Sequence, residues 1–500
     1  MNYSDSARIK AILINCGMKY TSDIKQADIV IFDTCSVRQK SEDKITGKLK
    51  EIGKNQKVWI TGCMIQHNLR NAKIDKMAKF KVGNFSGSLK SKTPEIIGLT
   101  TDEINDFKNK YPPEKGDKGG LINNKGNIVG INNAFNPMFF NLSQKLKNIE
   151  LFFRIDDVGF LPIILPKIGY KIKYNSEIIN EYEKIIPQGI NTSMNPHQTT
   201  AYIPISTGCN QFCAYCIVPY ARGLERNFPL KQIVDEAKLH IQNGAQEIVL
   251  LGQIVNKHPD FIEILKSILK IEGLKRLRYT SPYPTYYSKE LLELHEKENK
   301  LCPHIHIPLQ SGSDNILKKM FRGYDSKQCY EFIDKIRGLK RHISITTDII
   351  VGFPGETEKD FKETIKLIKY GKFDMIYIGI YSSRPGTLAA KKYENDIPYK
   401  TKHKRRSKLN ELLKKNSLEN NKKEIGSIKE VLVNEILIQG NTKTLKHGNI
   451  IGYTDNMKQT LINIQDSSKI KEGDFLTVKI IDGKSFKLYG EIINKNTTKH

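Results

Sequence analysis

The stretch Gly208-Cys-Asn-Gln-Phe-Cys-Ala-Tyr-Cys216 decides the fold and the chemistry of this chain. It spaces Cys209, Cys213 and Cys216 as Cys-x3-Cys-x2-Cys within one short segment. Three thiolates on one tight loop can hold three irons of a 4Fe-4S cluster and leave the fourth iron open to an exogenous ligand. The spacing therefore predicts an iron–sulfur centre with one open coordination position.

Two other uses of the same cysteines fit the sequence less well. A zinc ribbon needs a second cysteine pair at matching separation, and the downstream Cys302 and Cys329 are isolated. A disulfide between such close neighbours would close only a very small loop. The N-terminus also lacks the signal-peptide pattern that would send the chain to an oxidising compartment.

Length and charge limit the choice of architecture and partner. Five hundred residues exceed what one core holds, which predicts about two to four domains. A formal net charge of +26 indicates a polyanionic partner, nucleic acid first, although heavy use of Lys, Asn and Ile fits genome base composition equally well. No apolar run reaches the roughly 18 residues that span a bilayer, so we expect a cytoplasmic protein with no membrane partner.

Alternating strand and helix patterns predict an α/β chain. The N-terminal region reads as a doubly wound unit. Repeated βα units between residues 200 and 398 predict a parallel barrel, and short strands beyond residue 426 predict a small closed barrel of OB type. Strands are predicted at residues 29–32, 58–61, 151–154, 248–251, 276–279, 304–307, 344–347, 375–379, 431–434, 449–453, 460–463, 475–480 and 488–491, and helices at 39–52 and 400–423.

Two local features of this pattern have more than one interpretation. The very basic segment 400–423 is either a solvated linker helix or an RNA-contacting face, and the sequence favours neither. His304 and His306 alternate along one predicted strand, which favours lining of the barrel over metal binding.

The cysteine segment continues in a way that is typical of one family. Residues 209–223, Cys-Asn-Gln-Phe-Cys-Ala-Tyr-Cys-Ile-Val-Pro-Tyr-Ala-Arg-Gly, resemble the methylthiotransferase branch of the radical S-adenosylmethionine (SAM) superfamily. Further motifs stand in the family's order at Pro308-Leu-Gln-Ser-Gly-Ser-Asp314, Asp348-Ile-Ile-Val-Gly-Phe-Pro-Gly-Glu-Thr357 and Ser383-Arg-Pro-Gly-Thr387. The resemblance covers nearly the whole chain outside residues 86–148.

The resemblance and the patterns together imply three folded domains with two connecting segments. We expect an N-terminal doubly wound methylthiotransferase domain with a second cluster at residues 1–85 plus 150–195, a polar and partly disordered insertion at 86–149, a radical SAM core with an open (β/α)6 barrel at 196–398, a basic linker helix at 399–425, and a small OB-like TRAM β-barrel that binds RNA at 426–493.

Two isolated cysteines are candidate ligands of the second 4Fe-4S cluster. Cys35 and Cys63 each fall two or three residues beyond a predicted strand, so a parallel sheet would bring both to its carboxyl edge. By resemblance they match the second and third ligands of the family's sulfur-donating cluster. The first ligand, in Gly-Cys-x-Met-Asn, has no counterpart, since Cys16 lies at the far end of the first helix. We therefore expect the natural chain to begin upstream of Met1, and Cys16 becomes a substitute ligand only if it does not.

The resemblance also implies the cofactor chemistry. The catalytic cysteines Cys209, Cys213 and Cys216 would hold a cluster whose open iron chelates SAM. Reductive cleavage of SAM would then yield a 5′-deoxyadenosyl radical that takes a hydrogen atom from an unactivated carbon. The residues expected to hold SAM are Gln310, Ser311, Arg322, Thr347 and Gly352. The expected partners are tRNA, SAM and a low-potential electron donor of flavodoxin or ferredoxin type, with the chain as a monomer.

One short element separates the branches of the family. Leu250-Leu-Gly-Gln-Ile-Val-Asn256 resembles the Leu-Gly-Gln-Asn-Val-Asn element of enzymes that modify N6-isopentenyladenosine beside the tRNA anticodon, with Ile254 in place of Asn. The resemblance implies addition of a methylthio group to C2 of that nucleoside. The alternatives are a branch acting on N6-threonylcarbamoyladenosine or on a ribosomal-protein aspartate, and a non-catalytic RNA-binding relative with an incomplete second cluster.

Overall fold

The computed structural model describes residues 2–34, 48, 52–53, 55–62, 149–153, 155, 158, 161–167, 169–172, 199–438, 448–464 and 470–494. These residues form two compact units. The first draws on residues 1–193, 207–211 and 216–226, and the second on residues 194–206, 212–215 and 227–500. Cys35, Cys63, and all but a few isolated positions of the predicted helix 39–52 and insertion 86–149 lie outside the described residues.

The first unit contains a parallel three-stranded sheet, as the strand pattern predicts. Strands β1, β2 and β3 lie side by side in that order, and β3 begins and ends two residues before its predicted position. Trp59 and Phe153 are fully buried beside the sheet. The bounds are β1 Ile29–Thr34, β2 Lys57–Gly62, β3 Ile149–Phe152, helices α1 Asn2–Asn15, α2 Leu161–Lys167 and α3 Val218–Arg222, and a 3-10 turn Ile24–Gln26.

Cys16 lies in the apolar core of this unit. It follows helix α1, is 4% exposed, and belongs to one packed cluster with Ile12 and Trp59. Burial raises the pKa of its thiol to about 11, so the thiol stays protonated at neutral pH. A buried, protonated thiol behaves as a small apolar side chain, and packing accounts for Cys16.

The second unit contains the predicted parallel barrel. Its six strands form two three-stranded parallel sheets, β4-β7-β8 and β9-β10-β11, and a single parallel bridge between Leu277 and Leu301 continues the ladder from one sheet to the other. The strands are β4 Thr200–Pro204, β7 Glu247–Leu251, β8 Arg276–Tyr279, β9 His304–Gln310, β10 Ser344–Val351 and β11 Met375–Ile380, while the short β5 Ser206–Thr207 and β6 Arg226–Asn227 flank the cysteine loop in the chain.

Helices follow each barrel strand and cover its outer face. Ile203, Ile248 and Leu277 point outward and pack with helix residues such as Ile233 and Ile264 in one fully buried cluster. The helices are α4 Leu230–Gln242, α5 Phe261–Leu269, α6 Lys289–Lys297, α7 Asp314–Lys319, α8 Ser326–Arg337, α9 Glu358–Gly371 and α10 Leu388–Lys392, with 3-10 turns Val255–Lys257 and Pro284–Tyr286. Because side chains alternate along a strand, the polar residues between these apolar positions face the interior of the barrel.

The C-terminal residues form the small closed barrel that the sequence predicts. Its five strands close in the order β12-β13-β14-β16-β15 around apolar side chains such as Val431, Ile450 and Val478. The bounds are β12 Ile428–Ile438, β13 Gly448–Thr454, β14 Gln459–Ile464, β15 Phe475–Lys484 and β16 Lys487–Asn494.

The basic helix α11, Tyr399–Lys422, is divided into a buried face and an exposed face. Lys402 and Arg405 are 3% and 6% exposed, and the Arg405 guanidinium lies 2.6 Å from the Glu356 carboxylate. Lys404 and Lys408 remain exposed. Neither of the two interpretations of this segment anticipates that part of its charge is internal.

The small closed barrel packs against the amino end of the larger barrel. Arg276 and Arg278, at the start of β8, donate hydrogen bonds to backbone carbonyls of Glu430, Thr454 and Asp455, at donor–acceptor distances of 2.6 to 3.0 Å. Donors and acceptors that satisfy one another can be buried at little cost, and these arginines are 3% and 8% exposed. None of the described helices is both long and apolar enough to cross a membrane.

Candidate active site

The cysteine loop is closed by backbone contacts between its two ends. The amide of Cys209 donates to the Gly223 carbonyl at 3.1 Å, and the amide of Glu225 donates to Asn210 Oδ1 at 2.9 Å. Gly208 has φ +73°, and a Cβ atom there would collide with the Leu224 carbonyl. A glycine is therefore required for the loop to return so closely on itself.

Cys213 lies in a buried pocket of the second unit. The next residue, Ala214, donates its amide to the Met320 carbonyl at 3.0 Å and accepts from the Ala389 amide at 2.7 Å. Cys213 Sγ itself accepts a hydrogen bond from Arg322 Nη1 at 3.2 Å. The thiol is thus held against the carboxyl end of the barrel beside a fixed positive charge.

Arg322 is held rigidly by groups at the end of strand β9. Its Nη2 donates to the Pro308 carbonyl at 2.9 Å, and its Nε donates to the Tyr324 hydroxyl at 2.8 Å. The guanidinium carbon also lies 4.7 Å from the ring centroid of Tyr283. A guanidinium fixed by three partners presents its charge to Cys213 without further ordering cost.

Gln310 and Ser311 form a tight turn where β9 ends. Gln310 has φ +71° and is 7% exposed. The Ser311 hydroxyl lies 3.2 Å from the Thr364 hydroxyl, which also accepts from the Gly312 amide at 3.0 Å. Helix α9 therefore anchors the turn, and the backbone strain at Gln310 is stored at the carboxyl edge of the barrel.

The two other residues predicted to hold SAM have structural contacts. Thr347 is fully buried, and its hydroxyl accepts from the Leu309 amide at 3.3 Å. Gly352 has φ +72°, its amide donates to the Glu356 carboxylate at 2.7 Å, and a Cβ atom there would overlap the Lys402 side chain. Each of these residues shapes a strand end through its backbone or through a buried hydroxyl.

The first unit contains a charged cluster that the motifs did not reveal. Arg222, the last residue of helix α3, forms an ion pair of 2.5 Å with Asp5, and both side chains are about 5% exposed or less. Burial, reinforced by the charge of Asp5, raises the pKa of the nearby Asp33 to about 7. The Ser6 hydroxyl donates to Asp33 at 3.0 Å. The partners of Arg222 are more than 180 residues away in sequence, so no local pattern could have identified them.

The candidate cysteines of the first unit follow directly after described strand ends. Strand β1 ends at Thr34 and strand β2 at Gly62, and the register pairs these two residues. Cys35 and Cys63 are the next residues in the chain. Among the residues that the structure describes, no three His, Cys, Asp or Glu side chains are placed to hold one metal ion.

Comparison with known protein families identifies three regions of the chain. Residues 203–368 match the radical SAM superfamily, residues 1–83 match a family described as uncharacterized protein family UPF0004, and residues 422–493 match the TRAM domain. The first match contains all three cysteines of the loop and most of the six-stranded barrel. These features define a radical SAM enzyme.

Relatives that match nearly the whole chain identify the family within the radical SAM superfamily. A tRNA-2-methylthio-N(6)-dimethylallyladenosine synthase of Clostridium botulinum strain Hall is 35% identical over 99% of this chain and 95% of its own length. Enzymes of the same name from Fusobacterium nucleatum and Carboxydothermus hydrogenoformans are 33% and 32% identical, each over 99% of this chain and 97% of the relative. The chain belongs to this family of radical SAM tRNA methylthiotransferases, the MiaB type.

Proposed function

We propose that this chain adds a methylthio group to C2 of N6-isopentenyladenosine beside the tRNA anticodon. The observation that carries the proposal is the match of nearly the whole chain to relatives named for this activity. The element at residues 250–256 supports the same branch. The alternatives are another methylthiotransferase branch and a non-catalytic RNA binder.

The three cysteines of the loop would hold the first cofactor. Cys209, Cys213 and Cys216 supply thiols, the ligands that iron–sulfur clusters take, so the donor set fits a 4Fe-4S cluster. When bound, this cluster supplies the reductive cleavage of SAM that generates a hydrogen-abstracting radical. Arg322 keeps a cation 3.2 Å from Cys213 Sγ, which favours a negatively charged centre at this position.

The SAM molecule would lie beside this cluster, at the ends of strands β9 and β10. Gln310, Ser311 and Arg322 are the candidates for direct contact, because they cluster around the end of β9. Thr347 and Gly352 would act by shaping the end of β10. A positive φ at Gly352 lets the chain turn sharply where the strand ends.

The first unit would carry a second 4Fe-4S cluster that donates sulfur. Cys35 and Cys63 are its proposed ligands, supported by the pairing of Thr34 with Gly62 immediately before them. Because Cys35 and Cys63 are the only two recognised ligands of this cluster, it should be held less firmly than the first. The reconstituted chain should then bind more than about four irons, and the Cys35→Ala, Cys63→Ala double variant about four. An unchanged iron content in that variant would exclude these two ligands.

The remaining partners follow from the same proposal. A TRAM barrel and a strongly basic chain suit a tRNA substrate. Reduction of the cluster requires a low-potential donor of flavodoxin or ferredoxin type. We place the activity in the cytoplasm, where tRNA and free thiolates occur together, and propose a monomer.

Mass spectrometry of tRNA nucleosides tests the proposed activity. The gene is expressed in a host that lacks its own enzyme, and the nucleosides are compared with those of the empty-vector host. Appearance of 2-methylthio-N6-isopentenyladenosine is the expected result. A methylthio derivative of threonylcarbamoyladenosine, or a modified ribosomal protein with unchanged tRNA, would assign the chain to another branch, and no modification would favour the non-catalytic alternative.

A further inference from the structure

Three neighbouring strands of the barrel place a polar cluster on their interior face. His306 on β9, Asp348 on β10 and Tyr377 on β11 occupy adjacent interior positions, since the register pairs Thr346 with His306 and Asp348 with Tyr377. The flanking residues Ile305, Ile307 and Ile349 are fully buried on the opposite face. The cluster therefore occupies the interior positions that alternate with buried apolar side chains along these strands.

Contacts within the cluster fix the orientation of His306. Its Nδ1 lies 3.0 Å from the Thr346 hydroxyl, and its Nε2 lies 3.2 Å from Asp348 Oδ2. The rings of His306 and Tyr377 meet edge to face, with centroids 5.7 Å apart and planes at 67°. An imidazole with both nitrogens engaged is held in place and fixes the neighbouring Asp348 carboxylate.

The cluster remains accessible. The side chains of His306 and Asp348 are 19% and 32% exposed, and Tyr377 is 46% exposed. A carboxylate and an aromatic face that stay accessible inside a barrel are able to bind a ligand.

We propose that His306, Asp348 and Tyr377 form the pocket for the target purine base. The inference rests on the proposed function and names the part of the barrel that receives the nucleoside. The exposed ring of Tyr377 would stack on the base, as aromatic side chains do on unstacked RNA bases. The Asp348 carboxylate would accept a hydrogen bond from the N6–H group of the base, and His306 would keep that carboxylate in place.

Binding to anticodon stem-loops tests the pocket independently of turnover. One stem-loop contains N6-isopentenyladenosine at the target position, and the other contains an abasic site there. The wild-type chain should bind the first more tightly, by about 5- to 160-fold for one stacked base, and Tyr377→Ala should lose most of this difference. Tyr377→Phe should keep it, because the stacking surface is retained, and Asp348→Asn should reduce it.

Two controls separate the pocket from other effects. Tyr370, an exposed tyrosine on helix α9, gives a matched variant, Tyr370→Ala, that should leave both affinities unchanged. The midpoint of unfolding in urea should stay close to that of the wild-type chain in every variant, since these side chains are partly exposed.

The outcomes distinguish the pocket from the proposed function. An unchanged affinity difference in both Tyr377→Ala and Asp348→Asn would overturn the pocket, as would a large drop of the urea midpoint in both variants, which would show that the cluster serves the fold. If the wild-type chain forms no methylthio product yet shows the base-dependent affinity that Tyr377→Ala removes, the proposed reaction fails and the pocket stands.

Discussion

The two halves of the large barrel use interior polar groups in opposite ways. In the sheet β4-β7-β8, the Arg278 side chain is bound by Glu247 at 2.9 Å and by two backbone carbonyls of the closed barrel. Both charged side chains are 8% exposed. In the sheet β9-β10-β11, His306 and Asp348 are also bonded to each other, yet 19% and 32% of their side chains stay exposed. Interior polar side chains thus hold the two barrels together in one half, whereas in the other half they remain available to a ligand.

Loss of one cysteine thiol at the carboxyl end of the barrel should have the largest effect. Cys213→Ala should reduce SAM cleavage to background, because the thiol beside Arg322 would be a cluster ligand, while the fold should survive. Cleavage is measured by the release of 5′-deoxyadenosine under reducing, anaerobic conditions. Cys329→Ala is the matched control, since Cys329 is a fully buried cysteine of helix α8. Normal SAM cleavage by Cys213→Ala would show that this end of the barrel is not part of the active site.

Breaking the buried ion pair between Arg278 and Glu247 should destabilise the fold more than a change of Asp348 in the other half of the barrel. Arg278→Met leaves the Glu247 carboxylate uncompensated and removes one donor from each of two carbonyls, which should lower the free energy of unfolding by about 3–5 kcal/mol. Asp348→Asn in the other half should lower it by about 1 kcal/mol or less, because its carboxylate remains in contact with water. Urea unfolding of both variants measures the difference. Equal losses would mean that the two halves do not differ in the way proposed.

A buried histidine beside β8 should make stability depend on pH. His295 is fully buried against Tyr279, and burial, aided by the nearby Arg341, lowers its pKa to about 3. Unfolding returns this pKa to about 6.5, so the unfolded chain gains a proton at pH 5 that the folded chain does not take up. The contribution of neutral His295 to the free energy of unfolding is therefore complete above about pH 6.5, and it falls by about 2 kcal/mol at pH 5.

The variant His295→Gln isolates this contribution. Glutamine can still exchange a hydrogen bond with the Tyr279 hydroxyl but does not titrate. The urea midpoint of the variant should therefore change less between pH 7 and pH 5 than that of the wild-type chain. An identical pH dependence in the two proteins would show that His295 is not the group responsible.

Periodicity predicted most strands but not the contacts between distant segments. The strands around Ile248 and Ile345 stand out in the sequence because apolar residues recur along short runs. The pairing of Arg278 with Asp455, 177 residues later, has no local signature. Likewise Thr347 reads as a ligand from its motif, yet strand alternation turns it away from the interior and its hydroxyl meets the Leu309 amide. Motifs predicted a site at the carboxyl end of the barrel, while tertiary packing decided which side chains face that end.

The smallest expected effect concerns helix α11, where buried and exposed charges lie on one element. Lys402 bonds the Asn395 side chain at 2.6 Å, while Lys404 and Lys408 are exposed. If the exposed face contacts tRNA, Lys404→Gln, Lys408→Gln should weaken tRNA binding several-fold at low salt. The slope of log affinity against log salt should also become shallower by about one to two. Each phosphate contact that is lost reduces the number of counterions released when tRNA binds.

Substitution is a cleaner test of this face than removal of the C-terminal barrel. Truncation after residue 423 would strip Arg276 and Arg278 of their carbonyl partners and damage the core itself. Lys289→Gln, Lys297→Gln on helix α6 is the matched control, since both lysines are exposed and lie outside helix α11. An equal change of the salt slope in both double variants would indicate that tRNA is attracted by the overall positive charge and not by the exposed face of α11. No change in either variant would indicate that α11 serves only in packing and that its exposed lysines are solvated.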